Sequence, residues 1–152
     1  MIKFTELKEN IEIFFKENRI KYYNLNDEHK NISIQIYMIL LKSKRDKTTG
    51  KKIPIMVTIF KSHPIIFIES FNIYKCSKSN AGKILKIINS LNQRSLPGKY
   101  FLDDNNIVSY RSILDYTTIS TFNEIEVKRI LDSMLPGYFM FLDEIKRYEN
   151  GK

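Results

Sequence analysis

The sequence is poor in residue types on which metal sites and secreted domains depend. Its 152 residues include no tryptophan, two histidines and a single cysteine, Cys76. One cysteine cannot form an internal disulfide. His29 and His63 lie in separate turn segments, and no second cysteine is present to complete a set of metal ligands with them. A structural zinc site needs about four closely arranged Cys, His or carboxylate ligands. We therefore expect no metal, no cofactor and no disulfide.

Motifs that carry catalytic or nucleotide-binding chemistry are also missing. The chain has no glycine-rich phosphate loop, no Gly-x-Ser-x-Gly elbow and no His-Glu-x-x-His pattern. Asp103 and Asp104 are adjacent carboxylates, but they stand in a turn-forming stretch where Asp and Asn bond their own backbone. We interpret them as turn residues rather than as an acid–base pair. The sequence thus predicts no catalytic residues and a protein that is not an enzyme.

Long apolar runs are absent as well. The longest, Ile36 to Leu41, is far shorter than the ~20 residues that a membrane-spanning helix needs. The N-terminal residues lack the basic head and apolar stretch of a secretory signal. These features predict a cytoplasmic protein without a membrane partner. A chain of this length with 43% hydrophobic residues is expected to form one domain, residues 1–152.

Basic residues are in excess, and the excess is concentrated in the middle of the chain. The formal net charge is +8, and the segment from Lys42 to Lys99 holds thirteen basic and two acidic residues, a net charge of +11. A polar loop within this segment carries a dense basic cluster: Lys42, Lys44, Arg45, Lys47, Lys51 and Lys52. With Tyr37, Phe60 and Tyr74 on flanking strands, the cluster would form a basic aromatic surface for an acidic protein segment or for nucleic acid. The other interpretation is a solvated hairpin tip that binds nothing.

Hydrophobic periodicity predicts the order of elements. Helical spacing of apolar residues indicates helices near residues 4–18, 84–91 and 125–148. Alternating or β-branched runs indicate strands near residues 20–25, 32–41, 53–61, 65–74, 100–102 and 107–114. Because the hairpin connections are too short for parallel crossovers, the predicted fold class is α+β. It is a mainly antiparallel sheet with helices packed on one face, in the order α-β-β-β-(β)-α-β-β-α.

Two strand segments carry specific expectations. The run from Ile32 to Leu41 is apolar on both faces toward its end, so we expect that end to be covered on both sides. The hairpin formed by residues 100–102 and 107–114 is expected to lie inside the sheet, with Phe101 buried. Arg111 on its second strand either pairs with a carboxylate or contacts a partner. Asn89 and Asn92, before the hairpin, are interpreted as helix caps.

The C-terminal segment is rich in aromatic residues. After a capping box of Thr121 and Glu124, the helix is expected to break at Pro136-Gly137 and continue at an angle. The apolar side chains beyond the break are too many for one inward stripe: Tyr138, Phe139, Met140, Phe141, Leu142, Ile145 and Tyr148. An exposed aromatic surface, with Tyr138 and Phe141 as candidate contact residues, would imply a partner, and a symmetric dimer is the commonest closed arrangement. Alternatively, the bend wraps the segment around the core and buries both sides.

The order of elements from residue 4 to 148, together with one short motif, resembles a known family. The residues that carry the resemblance are Ile87 to Asn92, Pro97 to Asp104, Val108 and Arg111, followed by the long aromatic helix. They resemble the YbjN family of bacterial sensory-transduction regulators. The resemblance implies a fold like that of type III secretion chaperones, binding to a protein or peptide, frequent self-association and no catalysis. The chain departs from the family in its long basic loop and in Pro136-Gly137.

The expected function is therefore a non-enzymatic protein-binding module, chaperone-like or regulatory, that acts on another polypeptide. Self-association as a homodimer is part of that expectation. A basic nucleic-acid-associated protein is the alternative, because the central charge excess would suit a phosphate backbone.

Overall fold

The order of helices and strands follows the periodicity of the sequence. A computed structural model describes residues 2–27, 33–44 and 51–151. The helices of this part are α1 (Phe4–Glu17), α2 (Ala81–Asn92) and α3 (Glu124–Asn150). Its strands are β1 (Tyr22–Asn24), β2 (Ile34–Lys42), β3 (Lys52–Phe60), β4 (Ile65–Lys75), β5 (Lys99–Leu102) and β6 (Ile107–Asp115). The predicted α+β class and element order are confirmed.

The strands form one antiparallel sheet in the spatial order β1-β2-β3-β4-β6-β5. β2, β3 and β4 are joined as a meander, and β6 pairs with β4 over most of its length. β5 pairs with β6 alone and forms one edge. The hairpin is therefore confirmed, but only its second strand lies inside the sheet. Among the helices of the described ranges, none has both the length and the apolar composition needed to cross a bilayer.

One face of the sheet is buried beneath the helices. Side chains alternate in burial along the strands, and one fully buried row crosses four of them: Tyr37, Val57, Ile68 and Ser112. α1 packs on this face through Phe15, whose ring centroid lies 5.7 Å from that of Tyr37. α3 packs on it through Phe141, whose ring centroid lies 5.8 Å from that of Tyr100. The prediction that the helices pack on one face is confirmed.

The turn between β5 and β6 uses its polar residues as the sequence predicts. The Asp103 carboxylate accepts hydrogen bonds from the backbone N–H groups of Asn105 (2.9 Å) and Ile107 (3.0 Å). Asn106 adopts a φ of 61°, which Asn tolerates better than most residues. Asp103 is therefore a structural turn residue.

Asn92, the last residue of α2, closes the outer edge of β5 and does not cap its helix. Its side-chain amide donates to the Tyr100 carbonyl (2.9 Å), and its side-chain oxygen accepts from the Tyr100 N–H (2.8 Å). Asn89, in contrast, is exposed. The helix-cap interpretation is wrong for Asn92, because the turn at Pro97-Gly98 brings β5 back alongside the end of α2. With both backbone groups of Tyr100 occupied, a further strand cannot pair at this residue.

α3 differs from its prediction at its start and in its middle. Asn123, rather than Thr121, caps the helix, and its side chain accepts the Glu126 N–H (3.1 Å). The helix then runs without interruption through Pro136 to Asn150. The expectation of two segments divided at Pro136-Gly137 is wrong.

Packing around Tyr110 explains why α3 continues past its proline. The buried Tyr110 ring lies between Gly98 and Gly137, and a Cβ atom on either glycine would lie 2.7–2.8 Å from ring atoms. The Tyr110 hydroxyl accepts the Gly98 N–H (2.8 Å), while the Tyr100 hydroxyl donates to the Gly137 carbonyl. Burial raises the pKa of Tyr100, which keeps this phenol protonated as a donor. These contacts hold α3 against the sheet and offset the local cost of Pro136.

Gly137→Ala tests this close approach. The substitution is expected to lower the free energy of unfolding by about 1–3 kcal/mol, because its methyl group would overlap the Tyr110 ring. Gly82→Ala in α2 is the matched control, since nothing lies within 4 Å of the added atom. That variant should gain up to about 1 kcal/mol from helix propensity. Urea unfolding followed by circular dichroism measures both, and equal effects would contradict the packing described.

Candidate functional site

The sheet face opposite the helices presents apolar side chains that no described element buries. We call this surface the open face. Its apolar side chains are half-buried or exposed: Tyr23, Ile36, Met38, Met56, Phe60, Phe67, Phe101 and Ile113. Ile113, on β6 beyond the residues that pair with β5, is 55% exposed. Monomeric proteins rarely leave contiguous apolar patches of this kind uncovered without a binding role.

The strand register makes this surface continuous. One cross-strand row crosses all six strands: Tyr23, Met38, Met56, Glu69, Arg111 and Lys99. The next row consists of Ile36, Thr58, Phe67 and Ile113. Methionine is flexible and polarisable, so Met38 and Met56 can adapt to different apolar groups. The open face is therefore a broad, adaptable surface rather than a shaped pocket.

The exposure of this face corrects one prediction about β2. Its last residues are apolar on both sides and were expected to be covered on both sides. Leu40, on the open face, is 37% exposed. A strand that is apolar on both sides is either covered by core on both sides or exposes one apolar side. In β2 one apolar side is exposed.

Arg111 lies on the open face on β6, the strand that pairs with the edge strand β5. Its Nε donates to Glu69 Oε2 at 2.7 Å, so the predicted pairing with a carboxylate is confirmed. The guanidinium carbon lies 4.5 Å from the ring centroids of both Phe67 and Phe101. The side chain remains 32% exposed. Arg111 is thus held in place by protein contacts while part of it still reaches the surface.

Phe101 is one of the two rings that hold this arginine. The expectation that Phe101 is buried in the core is wrong, since it is half-buried on the open face. Its neighbour Tyr100 occupies the buried position beneath α3. Successive residues of a strand point to opposite faces, so only one of the two can reach the core.

The basic residues of the cluster do not lie in one common environment. Lys42 and Lys52 are exposed cross-strand partners at the ends of β2 and β3. Like charges directly opposite each other are destabilising, and in the described ranges no carboxylate pairs with either lysine. Lys44 is exposed beyond the end of β2. Arg45 and Lys47 lie outside the described residues.

Lys51 and Tyr138 are brought together. The Lys51 Nζ donates to the Tyr138 hydroxyl (3.2 Å) and lies 5.6 Å from the ring centroid. Tyr138 itself is buried. This contact joins the base of the basic loop to α3, so it is an internal contact of the fold.

The predicted basic aromatic surface does not form. Tyr37 faces the helices, is fully buried and donates its hydroxyl to Glu12 (2.7 Å). Burial, and then the hydrogen bond to Glu12, raises the pKa of Tyr37. Tyr74 also lies on the helix side, where its ring contacts Phe141. Phe60 alone lies on the open face, so the three aromatic residues share no surface.

The aromatic surface predicted for the C-terminal segment is reduced, because several of its side chains are buried. Phe141 is 0% exposed and belongs to the core, so its assignment as a partner contact is wrong. Met134, Tyr138 and Ile145 are buried as well. α3 contacts the sheet and also packs beside α2, which buries more than one side of the helix. The other apolar side chains of the segment remain half-buried or exposed: Phe139, Met140, Leu142 and Tyr148. Self-association through this helix therefore stays a prediction, with a smaller apolar surface than the sequence suggested.

A groove of about 600 Å³ lies between the end of β2 and α3. Its charged lining includes both signs: Lys42, Lys44, Arg94, Asp132, Asp143, Glu144 and Arg147. Such a lining selects no single charge in a ligand. In the part of the chain that the structure describes, no three Cys, His, Asp or Glu residues are grouped to hold a metal ion.

Comparisons of the chain with protein-family models, curated proteins and solved structures found no match. The resemblance to the YbjN family therefore remains a prediction from the residues.

Proposed function

We propose that the protein is a non-enzymatic binding module, chaperone-like or regulatory, that binds a segment of another polypeptide on the open face. The observation that carries the proposal is the half-exposed apolar surface around Arg111, opposite the helices. The resemblance to the YbjN family supports the same function, because what it implies is protein binding.

The two edges of the sheet favour binding on its face. β1, at one edge, has three residues and offers little backbone to a further strand. At the other edge, Asn92 already occupies the outward N–H and C=O of Tyr100. Pairing of a peptide backbone with an edge strand needs free groups in succession. A bound segment would therefore be held mainly by its side chains against the open face.

Charge indicates the chemistry of that segment. The ionised side chains at open-face strand positions include more cations than anions: Lys42, Lys52, Lys99 and Arg111 against Glu69 and Asp115. Complementary potentials favour association and disfavour wrong partners. The bound polypeptide is thus expected to combine apolar side chains with carboxylate groups.

Selection from a display library of random short peptides tests the proposal with a defined probe. Enriched peptides should combine apolar residues with Asp or Glu, and Ile113→Glu should weaken their binding at least about tenfold, the scale of losing one well-placed apolar contact and gaining a like charge. Ile13→Glu is the matched control, because Ile13 is 48% exposed on α1, away from the open face. No enrichment over the bare support, or equal losses in both variants, would contradict the proposal.

Equilibrium sedimentation examines whether the occupant is instead a second copy. If the open face binds another polypeptide, the mass is either 18.1 kDa or that of a dimer that Ile113→Glu leaves intact. A mass near twice 18.1 kDa that Ile113→Glu returns to the monomer value would assign the open face to a homodimer and contradict binding of another polypeptide there.

Nucleic acid is the second candidate, favoured by the exposed Lys42–Lys52 pair with the exposed Lys44 near it in the chain. Its test is fluorescence anisotropy with a labelled oligonucleotide. Six to ten phosphate contacts would make the affinity fall by roughly 10³ or more between about 50 and 200 mM salt. Undetectable binding at the lower salt concentration would exclude this candidate.

A further inference from the structure

We infer that Arg111 is the residue of the open face that receives a carboxylate of the bound segment, an inference that rests on the function proposed above. The carboxylate belongs to an Asp or Glu side chain whose sequence neighbours are apolar. Arg111 would then set which acidic segments bind and in which position.

The guanidinium is already oriented for such a contact. Phe67 and Phe101 hold it from two sides, each with its ring centroid 4.5 Å from the guanidinium carbon. Glu69 holds it at Nε (2.7 Å). A guanidinium has five N–H donors, of which this bond uses one, and in the described residues no acceptor bonds the terminal nitrogens. Because the side chain is fixed before binding, little conformational freedom is lost on contact.

The charges around Arg111 leave room for one more anion. In the row across β4, β6 and β5, Glu69 carries one negative charge, whereas Arg111 and Lys99 carry two positive charges. The Lys99 Nζ donates to the Asn92 carbonyl (2.8 Å), a neutral acceptor. One additional carboxylate would balance the row. A doubly charged phosphate would add excess negative charge next to Glu69, so the balance favours a carboxylate.

The surroundings would strengthen the contact. Phe67 and Phe101 contact the guanidinium, and the apolar Ile113 lies two residues further along β6. An apolar segment bound over these side chains would exclude water from the guanidinium. Hydrogen bonds between charged groups are stronger where water is excluded, and a planar carboxylate matches two guanidinium N–H groups at once. Lysine in this position would offer a point charge without that geometry.

The test uses an acidic peptide selected on the wild-type protein. Each Asp or Glu of the peptide is changed in turn to Asn or Gln, and binding is measured by isothermal titration calorimetry. One of these changes should weaken binding to the wild-type protein about tenfold, the scale of a hydrogen-bonded charged pair. The Glu69→Gln/Arg111→Gln double variant leaves the net charge of this pair at zero. The same peptide substitution should change the affinity for this variant by less than about twofold. Phosphoserine at that peptide position should bind more weakly than Glu or Asp.

The outcomes separate this inference from the function on which it rests. Suppose that Ile113→Glu abolishes binding, but every peptide with Asn or Gln in place of Asp or Glu binds as tightly as the original peptide. The open face then binds polypeptides, and the role inferred for Arg111 is wrong. Tighter binding of phosphoserine would also overturn the inference. If selection yields no peptide at all, both fail. Arg111→Lys adds a check on geometry, since it retains the charge and should still lose most of the affinity. Thermal unfolding of each variant verifies that it is folded.

Discussion

Phe141→Ala is expected to lower the free energy of unfolding by about 3–5 kcal/mol, because it would leave a cavity at the centre of the core. Phe141 is 0% exposed, and its ring centroid lies 5.9 Å from that of Tyr74 and 5.8 Å from that of Tyr100. These rings belong to α3, β4 and β5, so the loss should affect the whole domain. Urea unfolding monitored by circular dichroism provides the measurement.

Phe101→Ala removes a phenylalanine ring from the opposite face of the sheet and is the comparison for Phe141→Ala. Phe101 lies on the open face against Arg111 and is half-buried, so its removal should cost less than about 2 kcal/mol. Peptide binding, on the other hand, should weaken, because the ring helps to hold the guanidinium. If Phe101→Ala destabilised the protein as much as Phe141→Ala, the assignment of the two sheet faces would be wrong.

Asn92→Ala is expected to cost about 2–4 kcal/mol, because it leaves both the N–H and the C=O of Tyr100 without their partner. Tyr100 is buried, so water cannot fully replace the lost amide. Asn92→Asp should also be destabilising, since a carboxylate keeps an acceptor for the N–H but places a negative group beside the carbonyl.

Asn89→Ala is the matched control, three residues earlier in the same helix. Asn89 is exposed, and its substitution should change the free energy of unfolding by less than about 0.5 kcal/mol. Urea unfolding of these variants, with hydrogen exchange of the Tyr100 amide, measures the difference. Equal effects of Asn89→Ala and Asn92→Ala would contradict the role of Asn92 at the edge of β5.

Periodicity was sufficient to predict the order of elements and the one-sided packing of the helices. Both depend on residues close in sequence, and the alternation in β2 and β3 is regular. The orientation of β5 was harder, because a strand of four residues allows either side to face the core and a shift of one residue exchanges them. Tyr100 and Phe101 are both plausible core residues by composition, and only pairing with β6 decides between them.

The remaining errors arose from contacts distant in sequence. The partner of Asn92 is eight residues away and depends on the path of the chain through Pro97-Gly98. The prediction of an exposed aromatic surface assumes one buried side on α3, whereas the alternative of burial on more than one side agrees with the packing of α2 beside it. The open face did leave a signal, namely the apolar residues on the second side of β2. That signal was interpreted as a second layer of core, because the sequence does not show how many layers cover a sheet.

The methionine methyl groups offer the most direct test of binding on the open face. Met38 and Met56 lie on that face, whereas Met134 is a buried residue of α3 on the other side of the sheet. Protein with ¹³C-labelled methionine methyl groups would be titrated with a selected acidic peptide and followed by NMR. We expect the Met38 and Met56 signals to shift and that of Met134 to remain in place. Shifts of Met134, or of Met140 on α3, without any change at Met38 and Met56 would show that peptides bind elsewhere and would contradict the proposed function.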